Sequence, residues 1–83
     1  MEKSIYTREY KALTRLLCQT RENAGISQME LAEKLGQSQS FVSKCERGER
    51  RLDIIQLRTV CLTLGLTLPE FVEQLERALR SRK

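Results

Sequence analysis

SQMELAEKLGQSQSFVSKCERG, residues 27–48, reads as two short helices with one glycine between them. Ser27 and Glu30 make an S-x-x-E capping box, in which hydroxyl and carboxylate satisfy the backbone donors that a helix start leaves open. A helix therefore begins near Gln28. Leu31, Ala32 and Leu35 share one of its faces, while Glu30, Glu33 and Lys34 take the other. Gly36 can turn with φ > 0, which stops the helix. Ser38 is the next N-cap, and Phe41, Val42 and Cys45 recur as the inward face of a second helix that ends at Gly48. Its outward face is Gln39, Ser40, Ser43, Lys44 and Arg47.

Helices joined by so short a turn cannot lie flat and antiparallel, and a glycine corner permits the steep crossing of a helix-turn-helix. One α-helix fits the major groove of DNA, with side chains near its N-terminus meeting base edges. Gln39 stands there, and its amide offers a donor and an acceptor together, the pattern that matches adenine N6 and N7. Ser40 follows on the same corner, and Lys44 one turn further on reaches guanine or a phosphate. Gln28 opens the first helix, where its own N–H and its side-chain amide are both expected to meet a phosphate oxygen favoured by the helix dipole. Ser38 occupies the same kind of position, although capping alone accounts for it.

The segment resembles the helix-turn-helix of the lambda-repressor-like, Cro-type (XRE) family. The residues that carry the resemblance are Gln28, the L-A-x-x-L-G run of Leu31, Ala32, Leu35 and Gly36, the Ser38 cap, Ser43 and Glu46, and the closing Arg47 and Gly48. It extends from about Leu13 to Val72. Gln37 departs from it, standing where the family often has a small apolar residue. The resemblance implies a five-helix, all-α DNA-binding domain. It also implies base contacts at Gln39, Ser40 and Lys44, a weaker one at Ser43, and phosphate contacts at Gln28, Arg50 and Arg51, with Arg47 and Ser38 as further phosphate candidates. Arg21 and Glu46 interrupt otherwise apolar faces. At the matching positions the family has a partly buried ion pair joining the first helix to the end of the reading helix, so a structural pair is expected here.

Working outward, Thr7 to Ala24 carries Tyr10, Leu13, Leu17 and Ala24 as the stripe of an amphipathic helix that Gly25 ends. Asp53 with Gln56 caps a fourth helix, with Leu57, Val60, Cys61 and Leu64 inward and Gly65 as its stop. Thr67 with Glu70 opens a fifth, in which Pro69 fits the first turn. Leu68, Phe71, Val72, Leu75 and Leu79 form its stripe. The expectation is one compact all-α domain over residues 1–83, with its motif at 27–48 and a fifth helix plus basic tail at 67–83.

With 83 residues, 31% charged and 40% hydrophobic, the chain has room for one modest core. Its formal charge of +4 suits a polyanion, and placement says more than the total. From residue 34 to residue 58, Lys34, Lys44, Arg47, Arg50, Arg51 and Arg58 face only Glu46, Glu49 and Asp53. A second basic group, Arg77, Arg80, Arg82 and Lys83, closes the chain. No long apolar run or signal-peptide pattern is present, which points to the cytoplasm and away from a membrane.

Cys18, Cys45 and Cys61 lack zinc-site spacing, and there is no histidine. Cys45 and Cys61 fall on apolar faces and Cys18 lies beside one, so core packing is favoured over thiol redox sensing, the alternative, and no cofactor or metal is expected. Without a glycine-rich phosphate loop or a catalytic constellation, an enzyme is disfavoured. One reading helix covers too few base pairs for useful specificity, so a homodimer is expected to read a near-palindromic operator on double-stranded DNA, with half-sites roughly 34 Å apart. Leu66, Leu68, Phe71 and Leu75 are candidates for the dimer interface. The competing reading is a protein-interaction module, antitoxin-like or coactivator-like, with a protein partner.

Overall fold

A computed structural model describes residues 3–81. Its five helices are α1 (Lys3–Asn23), α2 (Gln28–Leu35), α3 (Gln39–Arg47), α4 (Ile54–Thr63) and α5 (Leu68–Arg80). The all-α architecture is the one expected. Helix α1 begins at Lys3 rather than Thr7, since nothing in that stretch interrupts a helix. It ends at Asn23, which leaves Ala24 exposed beyond it and off the buried stripe. Arg82 and Lys83 of the terminal basic group lie outside the described residues.

The caps form as the side-chain chemistry requires. Ser27, Asp53 and Thr67 each accept from the backbone N–H three residues on, and Glu30, Gln56 and Glu70 each accept in return from the cap's N–H. Ser38 accepts from the Phe41 N–H at 3.1 Å. Gly36 turns with φ 69°, and the N–H of Gln37 reaches the Ala32 carbonyl at 2.9 Å, a pairing that closes α2 through the backbone. The corner therefore needs no apolar side chain at Gln37, which is exposed.

Leu17, Leu31, Ala32, Val42, Val60, Cys61 and Phe71 form the buried core, with Cys61 and Phe71 at 0% exposure. Helix α1 packs on α3 and α5, α2 on α3 and α4, and α4 on α5. Phe71 belongs to this monomer core. Its assignment to a dimer interface is corrected, because a side chain enclosed by its own chain has no surface to offer a second copy. Leu66 and Leu68 are half-buried against the same core. Among the described residues, no single helix is long and apolar enough to cross a membrane.

Candidate nucleic-acid interface

Helix α3 presents Gln39, Ser40 and Lys44 as exposed side chains on its outer face, while Val42 and Cys45 are buried beneath them. The inward pair fixes which face is left outside. Gly48 ends the helix with φ 80°, and the N–H groups of Glu49 and Arg50 both reach the Lys44 carbonyl, at 2.9 and 3.2 Å. That wrap turns the chain at the end of α3 and sets where Arg50 and Arg51 emerge.

Both arginines lie over aromatic rings. The Arg50 guanidinium is 5.0 Å from the Phe41 ring centroid, and that of Arg51 is 4.6 Å from the Tyr10 centroid. A cation held on a ring face loses less freedom when it meets a phosphate. Arg47 is engaged differently. It donates to the Ser43 hydroxyl and forks onto Glu49, with Nε–Oε2 at 3.0 Å and Nη2–Oε1 at 3.2 Å. Ser43 and Arg47 are thus tied to each other, and Arg47 must exchange Glu49 for any phosphate.

Near the end of α3, Glu46 joins three elements. Arg21 Nε donates to Glu46 Oε2 at 2.6 Å and Arg21 Nη2 to Oε1 at 3.3 Å, with the two side chains only 10% and 6% exposed. Arg21 Nη1 also holds the Ile26 carbonyl at 2.8 Å, in the turn before α2. Gln28 Nε2 donates to Glu46 Oε1 at 3.0 Å. One carboxylate therefore links α1, the first residue of α2 and the last turn of α3. Burial pushes the Glu46 carboxyl up, but the hydrogen bonds from Arg21 and Gln28, with the guanidinium charge, outweigh it and leave it below its ordinary 4.5. The same carboxylate raises Arg21 further.

Gln28 is the site residue whose placement says most beyond the sequence. Its side-chain amide, expected on a phosphate, is instead spent on Glu46 of the buried ion pair, which corrects that half of the expectation, while its backbone N–H remains one of the open donors of the α2 start. The Gln28–Glu46 bond and the two ring contacts escaped the sequence reading. Glu46 lies eighteen positions beyond Gln28, and local periodicity cannot register such a contact. Burial raises the Cys45 thiol and pushes that of Cys61 up to about 11, leaving both protonated at neutral pH.

The sequence pattern of the helix-turn-helix family matches residues 19–71. Among solved structures, an XRE-family like protein from Pseudomonas syringae pv. tomato str. DC3000 is 45% identical, with a TM-score of 0.83 over 90% of this chain and 92% of that one. Two structures of the clp gene regulator ClgR from Corynebacterium glutamicum are 27% and 26% identical. Their TM-scores are 0.75 and 0.77, over 84% and 87% of this chain and 90% and 77% of theirs. No similar protein was found among curated proteins. The motif match, the shared five-helix geometry and the 45% identity agree: the chain belongs to the XRE-type helix-turn-helix family.

Proposed function

We propose that this protein is a small transcriptional regulator that binds double-stranded DNA sequence-specifically through the major groove. In this reading it is a homodimeric repressor on a near-palindromic operator in the cytoplasm. The observation that carries the reading is α3 itself, which exposes Gln39, Ser40 and Lys44 while Glu46 anchors its last turn to α1 and α2. Gln39 reads a base edge, with Ser40 and Lys44 beside it. Gln28 and Ser38 offer helix-start N–H groups to phosphates, and Arg50 and Arg51 grip the backbone from their aromatic platforms. Ser43 and Arg47 contribute once Glu49 gives way. Similarity to a gene regulator supports the same reading.

The test is selection of bound fragments from random DNA, followed by anisotropy titrations on the selected site. Gln39→Ala is expected to lose about 1–3 kcal/mol of discrimination at one position per half-site. Arg50→Ala is expected to weaken all sequences alike and to reduce the salt slope by about one. Selection that returns no preferred sequence sinks the reading.

A further inference from the structure

We infer that a basic stripe on α1, formed by Arg8, Lys11 and Arg15, is a second phosphate-binding surface for double-stranded DNA, beside the grip of the α3–α4 loop. The stripe extends the proposed DNA-binding reading and rests on it for the identity of the polyanion.

Arg8, Lys11 and Arg15 stand at i, i+3 and i+7, so one face of α1 carries all of them, and each is exposed. Leu13 and Leu17 turn toward the core. Among the described residues, none of these bases has a carboxylate within ion-pair distance. Glu9 projects from another side of the helix. Glu22, two turns beyond Arg15, lies 3.9 Å from Arg21.

Exposed bases on a helix ordinarily belong to a solvated face in which acids alternate with them. Helix α5 is such a face, with Arg77 on Glu73 and Arg80 on Glu76, four positions apart in each pair. Arg21 and Arg47 are likewise matched, by Glu46 and Glu49. The α1 stripe has no such compensation, so a good part of the formal charge of +4 gathers on it. An uncompensated row of cations is suited to a polyanion.

The fold sets this row against the arginine loop. A Cβ at Gly48 would meet Tyr10 at 3.7 Å and Thr14 at 3.8 Å, and the Arg51 guanidinium lies 4.6 Å from the Tyr10 ring centroid. The chain leaving α3 therefore rests on α1 at Tyr10 and Thr14. Lys11 stands between those two positions, with Arg8 and Arg15 one turn to either side. Arg50, Arg51 and the stripe thus make one basic surface from two elements. From Arg8 to Arg15 the helix rises about 10 Å, and a DNA strand advances about 3.4 Å per phosphate, so about three phosphates can run along it. Such contacts add affinity without reading bases.

The test is a salt series by anisotropy, with the full chain on its selected operator and on a random-sequence duplex. The triple variant Arg8→Gln, Lys11→Gln, Arg15→Gln is expected to lower the salt slope by about two to three on both duplexes. Its affinity should fall about tenfold or more at low salt, with the ratio between the duplexes unchanged. Lys11→Gln alone should lower the slope by about one. Circular dichroism and a cooperative melt establish the fold of each variant.

A second triple, Lys34→Gln, Arg77→Gln, Arg80→Gln, removes the same formal charge elsewhere and is expected to lower the slope by less than about one. Equal losses in the two triples overturn the proposal, because net charge alone then accounts for them. If the parent selects an operator and the α1 triple keeps the parent's slope, the stripe falls and the DNA reading stands. If the parent prefers no sequence while the α1 triple lowers the slope on random duplex, the stripe stands and the sequence-specific reading falls.

Discussion

Glu46 concentrates more consequence than any other single side chain in the molecule. It accepts from Arg21 twice and from Gln28 once, almost fully enclosed. Such a pair need not add net stability, but removing one member leaves the other charge without compensation at a cost of about 3–5 kcal/mol. Glu46→Gln keeps the shape and strands the Arg21 charge, so chemical denaturation at neutral pH is expected to show a loss toward that range. Acid should erase the difference. The folded carboxyl lies below its ordinary 4.5, so its contribution is complete above that value and disappears as pH falls through the lower folded value. The gap between parent and Glu46→Gln should therefore close below pH 4.5. A gap independent of pH contradicts the assignment.

At the scale of elements, each short helix depends on its ends. Helix α3 has only nine residues and would not persist alone, so its Ser38 cap and Gly48 stop contribute a sizeable part of its local stability. Ser38→Ala is expected to cost about 1 kcal/mol through the lost bond to the Phe41 N–H. Ser38→Asp separates the two roles of this position. A carboxylate caps as well as a hydroxyl, so thermal stability should hold, while its charge beside a phosphate should weaken DNA binding. DNA affinity unchanged in Ser38→Asp would remove Ser38 from the phosphate contacts. Gly48 is constrained by backbone alone, because a Cβ there would meet the Tyr10 ring at an ordinary 3.7 Å.

Across the whole molecule, the chain with 83 residues encloses only a small core, and α5 supplies its largest fully buried side chain. Phe71 sits where α5 closes against α1 and α4, remote in sequence from the residues it stabilises. Phe71→Ala is expected to cost about 3–5 kcal/mol, measured by urea denaturation, since the surrounding helices can collapse only partly around the void. Val72→Ala, at the neighbouring but exposed position, should change stability little. An equal loss at the two positions would show that α5 is not a core element.

Although Ala24 and Val72 were placed on stripes and are exposed, capping boxes at Ser27, Asp53 and Thr67, helix-ending glycines and most of the 3.6-residue stripes were legible in the chain, because each is local chemistry within one helix. They determined five helices, a glycine corner between α2 and α3, and which face of α3 is polar. Helix α1 misled at its start, where no cap or breaker marks a boundary. The tertiary structure decided what local pattern cannot encode. Gln28 turns toward Glu46, Arg50 and Arg51 find aromatic rings, Phe71 is spent inside the monomer, and α4 keeps an apolar face bare. The physical reason is that a stripe at helical spacing records that a side chain is apolar, whereas what covers it depends on elements brought together only by folding.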